Sequence, residues 1–200
     1  MVMTQQLYLF VFVLVFFFIV FVVRSWLLWK NTGINPTTFG RSDDAHGFNG
    51  KLMKIISVFE IGMIALYAFK TDWYTYLLPF WYLEHSILNM IGWGLLHISL
   101  LWIFIAQLQM ANSWRIGIDY ENNTELVKNG LFSISRNPIF FGILIADLGL
   151  FLVIPNALSL LIICLSWYAI QVQVRLEEAH LKQTQGTDYE QYSKRVRRWI

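Results

Sequence analysis

The sequence predicts an all-α integral membrane protein, a bundle of about five transmembrane helices with a tight helical hairpin and a short amphipathic helix near residue 200. Three observations predict it. Hydrophobic residues make up 56% of the chain and the mean hydropathy is +0.50, against roughly 45–50% apolar residues in ordinary soluble domains. The excess falls in runs, and the run Leu7 to Val23 holds no charged or amide residue. The runs are separated by short polar segments that leave no room for a second folded unit, so residues 1–200 read as a single membrane domain. Residues 1–111 carry three spans, and 112–200 carry a polar loop, the hairpin and a tail.

The first span is expected at 4–29. No basic residue precedes Leu7 and no small-x-small site follows Val23, which argues against a cleaved leader. Arg24, Trp26, Trp29 and Lys30 follow instead, as an interfacial anchor would. Further spans are expected at 52–69, 86–108, 139–154 and 157–176. The last two are joined only by Pro155-Asn156, a helix breaker and a turn former, so they must form a hairpin. Its first arm is short for a full crossing and predicts tilt or a shallow tip. Beyond it, Leu176 to Lys182 continues the helix and Gly186 ends it. Residues 188–197 then form an amphipathic helix with Tyr189, Tyr192 and Val196 on one face.

Every Lys and Arg except Lys70 falls on one side if the N-terminus is outside and the C-terminus is cytoplasmic. The chain then reads as a multi-pass membrane protein with the bilayer as its main partner, and its short length and lack of a targeting signal suggest a bacterial inner membrane. The Asn122-Asn123-Thr124 sequon is then a chance match, and the Asp43-Asp44 pair reads as a flexible loop or lid. Cys164 is the only cysteine, which excludes an intramolecular disulfide. His46, His85, His97 and His180 lack ligand spacing, so no metal is expected. The Arg195–Arg198 cluster suits lipid headgroups better than nucleic acid.

Folding the hairpin about Pro155-Asn156 brings Ser135-Arg136-Asn137-Pro138 level with Arg175-Leu176-Glu177-Glu178. A guanidinium and an amide then meet two carboxylates and a second guanidinium, beside Phe132, Phe140, Phe141, Tyr189 and Tyr192. A polar ligand with an aromatic base fits such a place. Trp114-Arg115 reads as an interface anchor. Glu60, His97 and Asp147 lie inside spans, and a structural pair such as Glu60 with His97 is expected.

Gly130-Leu-Phe-Ser-Ile-Ser-Arg136-Asn137-Pro138-Ile-Phe140-Phe-Gly142 resembles the signature of the isoprenylcysteine carboxyl methyltransferase family. Arg175-Leu-Glu177-Glu178 with Gly186, Tyr189 and Tyr192 is similar to that family's tail. The resemblance covers roughly residues 113–200 and implies a membrane methyltransferase using S-adenosylmethionine, with S-adenosylhomocysteine as product. It implies a cofactor site at Thr124, Glu125, Leu126, Val127, Phe132, Asn137, Pro138, Ile139, Phe140 and Glu177, and catalytic roles for Arg136, Arg175 and Glu178. Glu178 would be a base where the acceptor needs one, and Arg175 would face the acceptor. The acceptor is expected to be lipid-like or a small hydrophobic molecule, with carboxylate O-methylation foremost. Asn137 stands where the family has His, and Phe140 where it has Tyr. Steroid 5α-reductase-like proteins, which use a nicotinamide cofactor, share an Arg-x-Pro-x-Tyr-x-Gly stretch but place Glu after the Gly; here Ile143 follows. A non-enzymatic membrane scaffold is the third reading.

Overall fold

The structure is a computed structural model and describes residues 2–39, 43–122 and 124–200. Arg41, counted in the charge distribution, and Asn123 of the sequon lie outside the described residues. The described residues form helices and turns joined by loops, with isolated bridges and no strand. Four helices are long and apolar enough to cross a membrane: Gln5–Thr32, Ala45–Phe69, Ser86–Ser113 and Ala157–Arg195. The fifth apolar helix, Pro138–Val153, has 16 residues. At about 1.5 Å per residue it spans about 24 Å, short of the roughly 30 Å hydrocarbon core, as its sequence length predicts.

The first span comprises α1 (Val2–Phe17), a π-helical stretch Phe18–Val23 and α2 (Arg24–Thr32). π-Helical turns mark places where a helix yields its regular geometry to a site or a packing demand. Here the Val20 carbonyl accepts a 2.9 Å bond from Gln107 Nε2. Gly33 ends α2 with φ 71°, the left-handed conformation that glycine adopts without a steric penalty.

α3 (Ala45–Phe69) starts at Asp44, whose Oδ1 accepts the Gly47 N–H at 2.7 Å. Asp44 is therefore a helix cap and not part of the flexible loop expected from sequence. After α4 (Thr71–Tyr74), the chain turns twice and enters α5 (Ser86–Met110). α6 (Pro138–Val153) and α7 (Ala157–Arg195) form the predicted hairpin. Asn156 is more than a turn residue. Its side chain accepts from the Ser159 N–H and its own N–H donates to Ser159 Oγ, a reciprocal cap that starts α7 directly after the tip. The tip is covered by residues 78–80, with Phe80 N–H donating to the Pro155 carbonyl at 2.9 Å.

Within the hairpin, α6 packs most extensively on α5 rather than on α7. Glycines explain the preference. A methyl group on Gly92 would meet the Gly149 carbonyl at 2.7 Å, and one on Gly149 would meet the Gly92 carbonyl at 2.9 Å. The two backbones touch where neither helix carries a side chain, as small residues allow in membrane bundles. α3 is pinned to α7 by Asn49, whose Nδ2 donates to the Ala169 carbonyl and to Gln173 Oε1.

Two intramembrane expectations change. His97 is hydrogen-bonded to Tyr8 and to the Trp93 carbonyl, at 3.0 and 2.7 Å, so its partner is on α1 and not Glu60. Glu60 instead interacts with Asp147 of α6, which bonds Ser166 of α7. Helical phase places it there, because Glu60 follows Asn49 by about three full turns and Asn49 faces α7.

Candidate functional site

Gly186 (φ 53°, ψ −125°) breaks α7 without ending it. The chain turns there and resumes as a helix to Arg195, folding Tyr189 and Tyr192 back under the signature loop. Tyr192 Oη donates to the Phe132 carbonyl at 2.7 Å, and both tyrosines are buried. The apolar face of this terminal helix thus packs on the loop. Lys128 and Asp188 tie the loop to the same helix by an ion pair, and Gln185 Nε2 donates to the Thr124 carbonyl at 2.8 Å.

The signature loop is set by Gly130 (φ 62°), where any side chain would strike Gln109. Gln109 Oε1 accepts the Leu131 N–H at 2.8 Å. Pro138 opens α6 at its first position, where a missing N–H costs nothing. Arg136 and Asn137 are thereby held at the mouth of the hairpin. The predicted convergence is present: Arg136 Nη2 lies 3.1 Å from Glu178 Oε1.

One cavity gathers the predicted cofactor residues. Thr124, Glu125, Leu126 and Val127 line one side. Phe132, Asn137, Pro138, Ile139 and Phe140 line another, and Glu177 and Glu178 a third. Arg136, Tyr189 and Tyr192 complete its polar end. The rest of the lining is mostly apolar, with Val20 and Phe21 of the π-helical stretch, Met53 of α3 and Met110 of α5 beside the amide of Gln107.

Arg175 is not brought to this cavity. Its Nη1 donates to the carbonyl and Oε1 of Gln171 on the exposed side of α7. Two residues on a regular helix turn through about 200°, so Arg175 and Glu177 point apart. The second guanidinium comes instead from Arg198, whose Nε and Nη2 grip the two oxygens of Glu178 at 3.0 and 2.7 Å. Arg198 is therefore an internal ion-pair partner, a correction to its reading as a headgroup anchor. Phe141 stacks edge-on against Trp102 and lies outside the cavity lining. Trp114, read as an interface anchor, is buried beneath the Arg24 guanidinium and lines the cavity with Arg115.

Loop geometry explains that last change. Asp119 accepts from Arg115 Nε at 2.9 Å and from the N–H groups of Glu121 and Asn122. Burial raises its pKa, but these bonds outweigh burial and hold the carboxyl below its ordinary value. The Thr38 and Ile116 backbones pair, and His46 Nε2 accepts the Ile118 N–H at 2.9 Å. The loop after α5 is so folded inward as a roof.

Electrostatically, the two neighbouring glutamates differ. Glu178 is bridged between two guanidiniums. Glu177, which lies past the apolar part of α7, has no cation within ion-pair reach among the described residues. Burial pushes its carboxyl up to about 7, opposed by the 2.9 Å bond from Gln173 Nε2 and reinforced by Glu178. Burial also pushes the Tyr189 hydroxyl up to about 12. Tyr189 Oη, Arg136 Nε and Gln107 Oε1 are buried without a partner among the described residues, and all three residues line the cavity. Such atoms are costly unless a ligand or water meets them.

Gln107, Met110, Val20 and Phe21 are functional candidates that sequence reasoning did not reach. The signal available was Gln107 itself, an amide near the C-terminal end of an apolar helix. Among the described residues, no group of His, Cys, Asp and Glu could hold a metal ion.

The phospholipid methyltransferase family model matches residues 88–188, from α5 through the kink at Gly186. The chain is also similar to the probable protein-S-isoprenylcysteine O-methyltransferases of Oryza sativa subsp. indica and Oryza sativa subsp. japonica. Each is 32% identical over 82 residues, which is 40% of this chain and 43% of the relative. The chain thus spans less than half the length of the curated relatives it matches. No solved structure matches it. The family match covers half of the chain and every lining residue of the cavity from Gln107 to Leu181, and this chain belongs to the phospholipid methyltransferase family.

Proposed function

We propose that the protein is an integral membrane methyltransferase that transfers a methyl group from S-adenosylmethionine to a lipid-like or small hydrophobic acceptor. One observation carries the reading. The loop Thr124–Val127, the turn Phe132 to Phe140 and the pair Glu177-Glu178, far apart in the chain, line one cavity. The residues suit this cofactor. Glu177 supplies a carboxylate for a positively charged group, and Phe132, Phe140 and the tyrosines offer aromatic and apolar walls for a base. Arg136 Nε and Tyr189 Oη offer unpaired polar atoms.

When bound, the cofactor supplies an electrophilic methyl group, which the acceptor's lone pair takes as the carbon–sulfur bond breaks and its electrons return to sulfur. The chain's residues bind and orient, which suffices because proximity and alignment supply most of the barrier reduction in such a reaction. A carboxylate acceptor requires no general base. The bridge of Glu178 to Arg136 and Arg198 favours a structural anion over a base at that position. The apolar lining at Val20, Phe21, Met53 and Met110 suits the hydrophobic part of an acceptor. The charge distribution supports an N-terminus outside and a C-terminus in the cytoplasm.

The test is calorimetry of S-adenosylmethionine with the detergent-purified protein, alongside Glu177→Ala. Micromolar binding that the substitution abolishes is expected. A folded wild type that binds a nicotinamide cofactor instead would overturn the reading in favour of a reductase, and one that binds neither would leave a scaffold.

A further inference from the structure

Residues 196–200 leave the terminal helix and run back along the signature loop. Arg197 pairs in parallel with Ser135, and its carbonyl accepts the Arg136 N–H at 3.0 Å. The Arg198 carbonyl accepts from Asn137 Nδ2 at 3.1 Å and from Ser135 Oγ at 3.4 Å. That bond fixes which end of the Asn137 amide turns from the strap. Trp199 stacks on Trp167 of α7, with ring centroids 6.0 Å apart at 27°, and clamps the segment across the hairpin. The Arg198 side chain then grips Glu178 by a two-point fork, while Arg136 holds the same carboxylate from the other side. Arg198 does not line the cavity; Arg136, Asn137, Glu177 and Glu178 do.

We propose that this strap is part of the cofactor site and that Arg198 is its positioning residue. It locks Glu178 as a fixed anion in register with Arg136 and Asn137, and so leaves Glu177 as the carboxylate that meets the cofactor's positive charge. The proposal rests on the methyltransferase reading. Planar guanidinium forks orient a carboxylate as well as neutralise it, which a headgroup anchor would have no reason to do. The groups facing Glu177 are Gln173 and Glu178 of α7 and Tyr189 of the terminal helix. Arg136 and Arg198 act on it through Glu178. Removing Arg198 leaves more of the Glu178 charge uncompensated beside Glu177, and a like charge disfavours ionisation.

The experiment is a calorimetric titration of S-adenosylmethionine at several pH values around neutrality. It uses the full chain in detergent as wild type, Arg198→Met, Arg198→Lys and Trp199→Ala, each checked for its melting temperature. Arg198→Met is expected to weaken binding about tenfold and to move the midpoint of its pH dependence up by about half a unit. Arg198→Lys keeps the charge without the fork and is expected to restore the midpoint but only part of the affinity. Should Arg198→Met fail to fold, this variant alone decides. Trp199→Ala is expected to lower the melting temperature without moving the midpoint. Wild-type affinity and midpoint in the Arg198 variants would overturn the proposal. So would an equal loss in Arg198→Met and Trp199→Ala with no change of midpoint, since that is what a merely structural strap gives. A wild type that binds no S-adenosylmethionine would instead overturn the parent reading, and this one with it.

Discussion

Arg136 and Glu178, one ahead of α6 and the other in the polar extension of α7, close to 3.1 Å at the open end of the hairpin, with both side chains about 15% exposed or less. Glu178 is the common partner of Arg136 and Arg198, so neutralising it strands two guanidiniums. Glu178→Gln is expected to destabilise the protein by about 3 kcal/mol, read as a lower melting temperature in detergent. The acid limb of cofactor binding should persist but move to lower pH, because the group that titrates there loses the like charge of Glu178 beside it.

Glu177 is that group. With its carboxyl held up at about 7, the ligand-free site is mostly neutral below pH 7 and mostly ionised above it. A cationic ligand selects the ionised form. Affinity for S-adenosylmethionine should therefore plateau above pH 7 and fall about tenfold for each unit below it, with a proton released on binding at the acid end. Glu177→Gln should flatten this profile. Calorimetry in buffers of different ionisation enthalpy counts the proton directly.

Gly92 and Gly149 put α5 and α6 in backbone contact. A Cβ on Gly92 would lie 2.7 Å from a carbonyl oxygen, which cannot rotate away as a side chain could. Gly92→Ala is expected to cost about 1–3 kcal/mol, while Gly94→Ala, with nothing within 4 Å of its added carbon, should be close to neutral. Melting temperatures of the two variants side by side give the comparison.

Arg24 is buried and donates to the Gln107 and Ala111 carbonyls, both at 2.9 Å, at the C-terminal end of α5. A cation there completes carbonyls that the helix leaves open and complements its dipole. Arg24→Met is expected to destabilise by about 2 kcal/mol and to loosen Trp114, whose ring lies beneath the guanidinium. Quenching of tryptophan fluorescence by a water-soluble quencher should increase.

Asp119 organises the roof loop. Because its folded pKa is depressed, its contribution to stability is present above the ordinary carboxylate value and is lost as pH falls through the depressed one. Asp119→Asn should remove that contribution at neutral pH. Hydrogen exchange at the Glu121 and Asn122 amides is expected to rise in the variant, and in the wild type only at acid pH.

The spans and the hairpin were legible because they rest on local signals: unbroken apolar runs, Pro155-Asn156, and a glycine at 186. The meeting of Arg136 with Glu178 was legible too, since a hairpin of known centre fixes depth. Depth is not azimuth. Arg175 and Glu177 have nearly equal depth, yet only Glu177 turns to the cavity. Arg198 was misread for a related reason. A basic run near a bilayer looks like a headgroup anchor until the bend at Gly186 and the return of residues 196–200 bring it to Glu178. Nor could hydropathy distinguish Val20 and Phe21, which line the cavity, from the other apolar residues of their run.

The π-helical stretch Phe18–Val23 holds one residue more than a regular helix needs for the same rotation. Deleting one residue there lets the stretch become regular helix while its two flanks keep their facing, so Arg24 stays at the end of α5. What such a deletion removes is the widened turn around Val20, whose carbonyl now meets Gln107. The same deletion within the regular turns of α1 or α2 has no widened turn to absorb it and rotates one side against the other by about 100°. The stretch is thus the slack of the first span, the place where the count of residues and the facing of the helix are uncoupled.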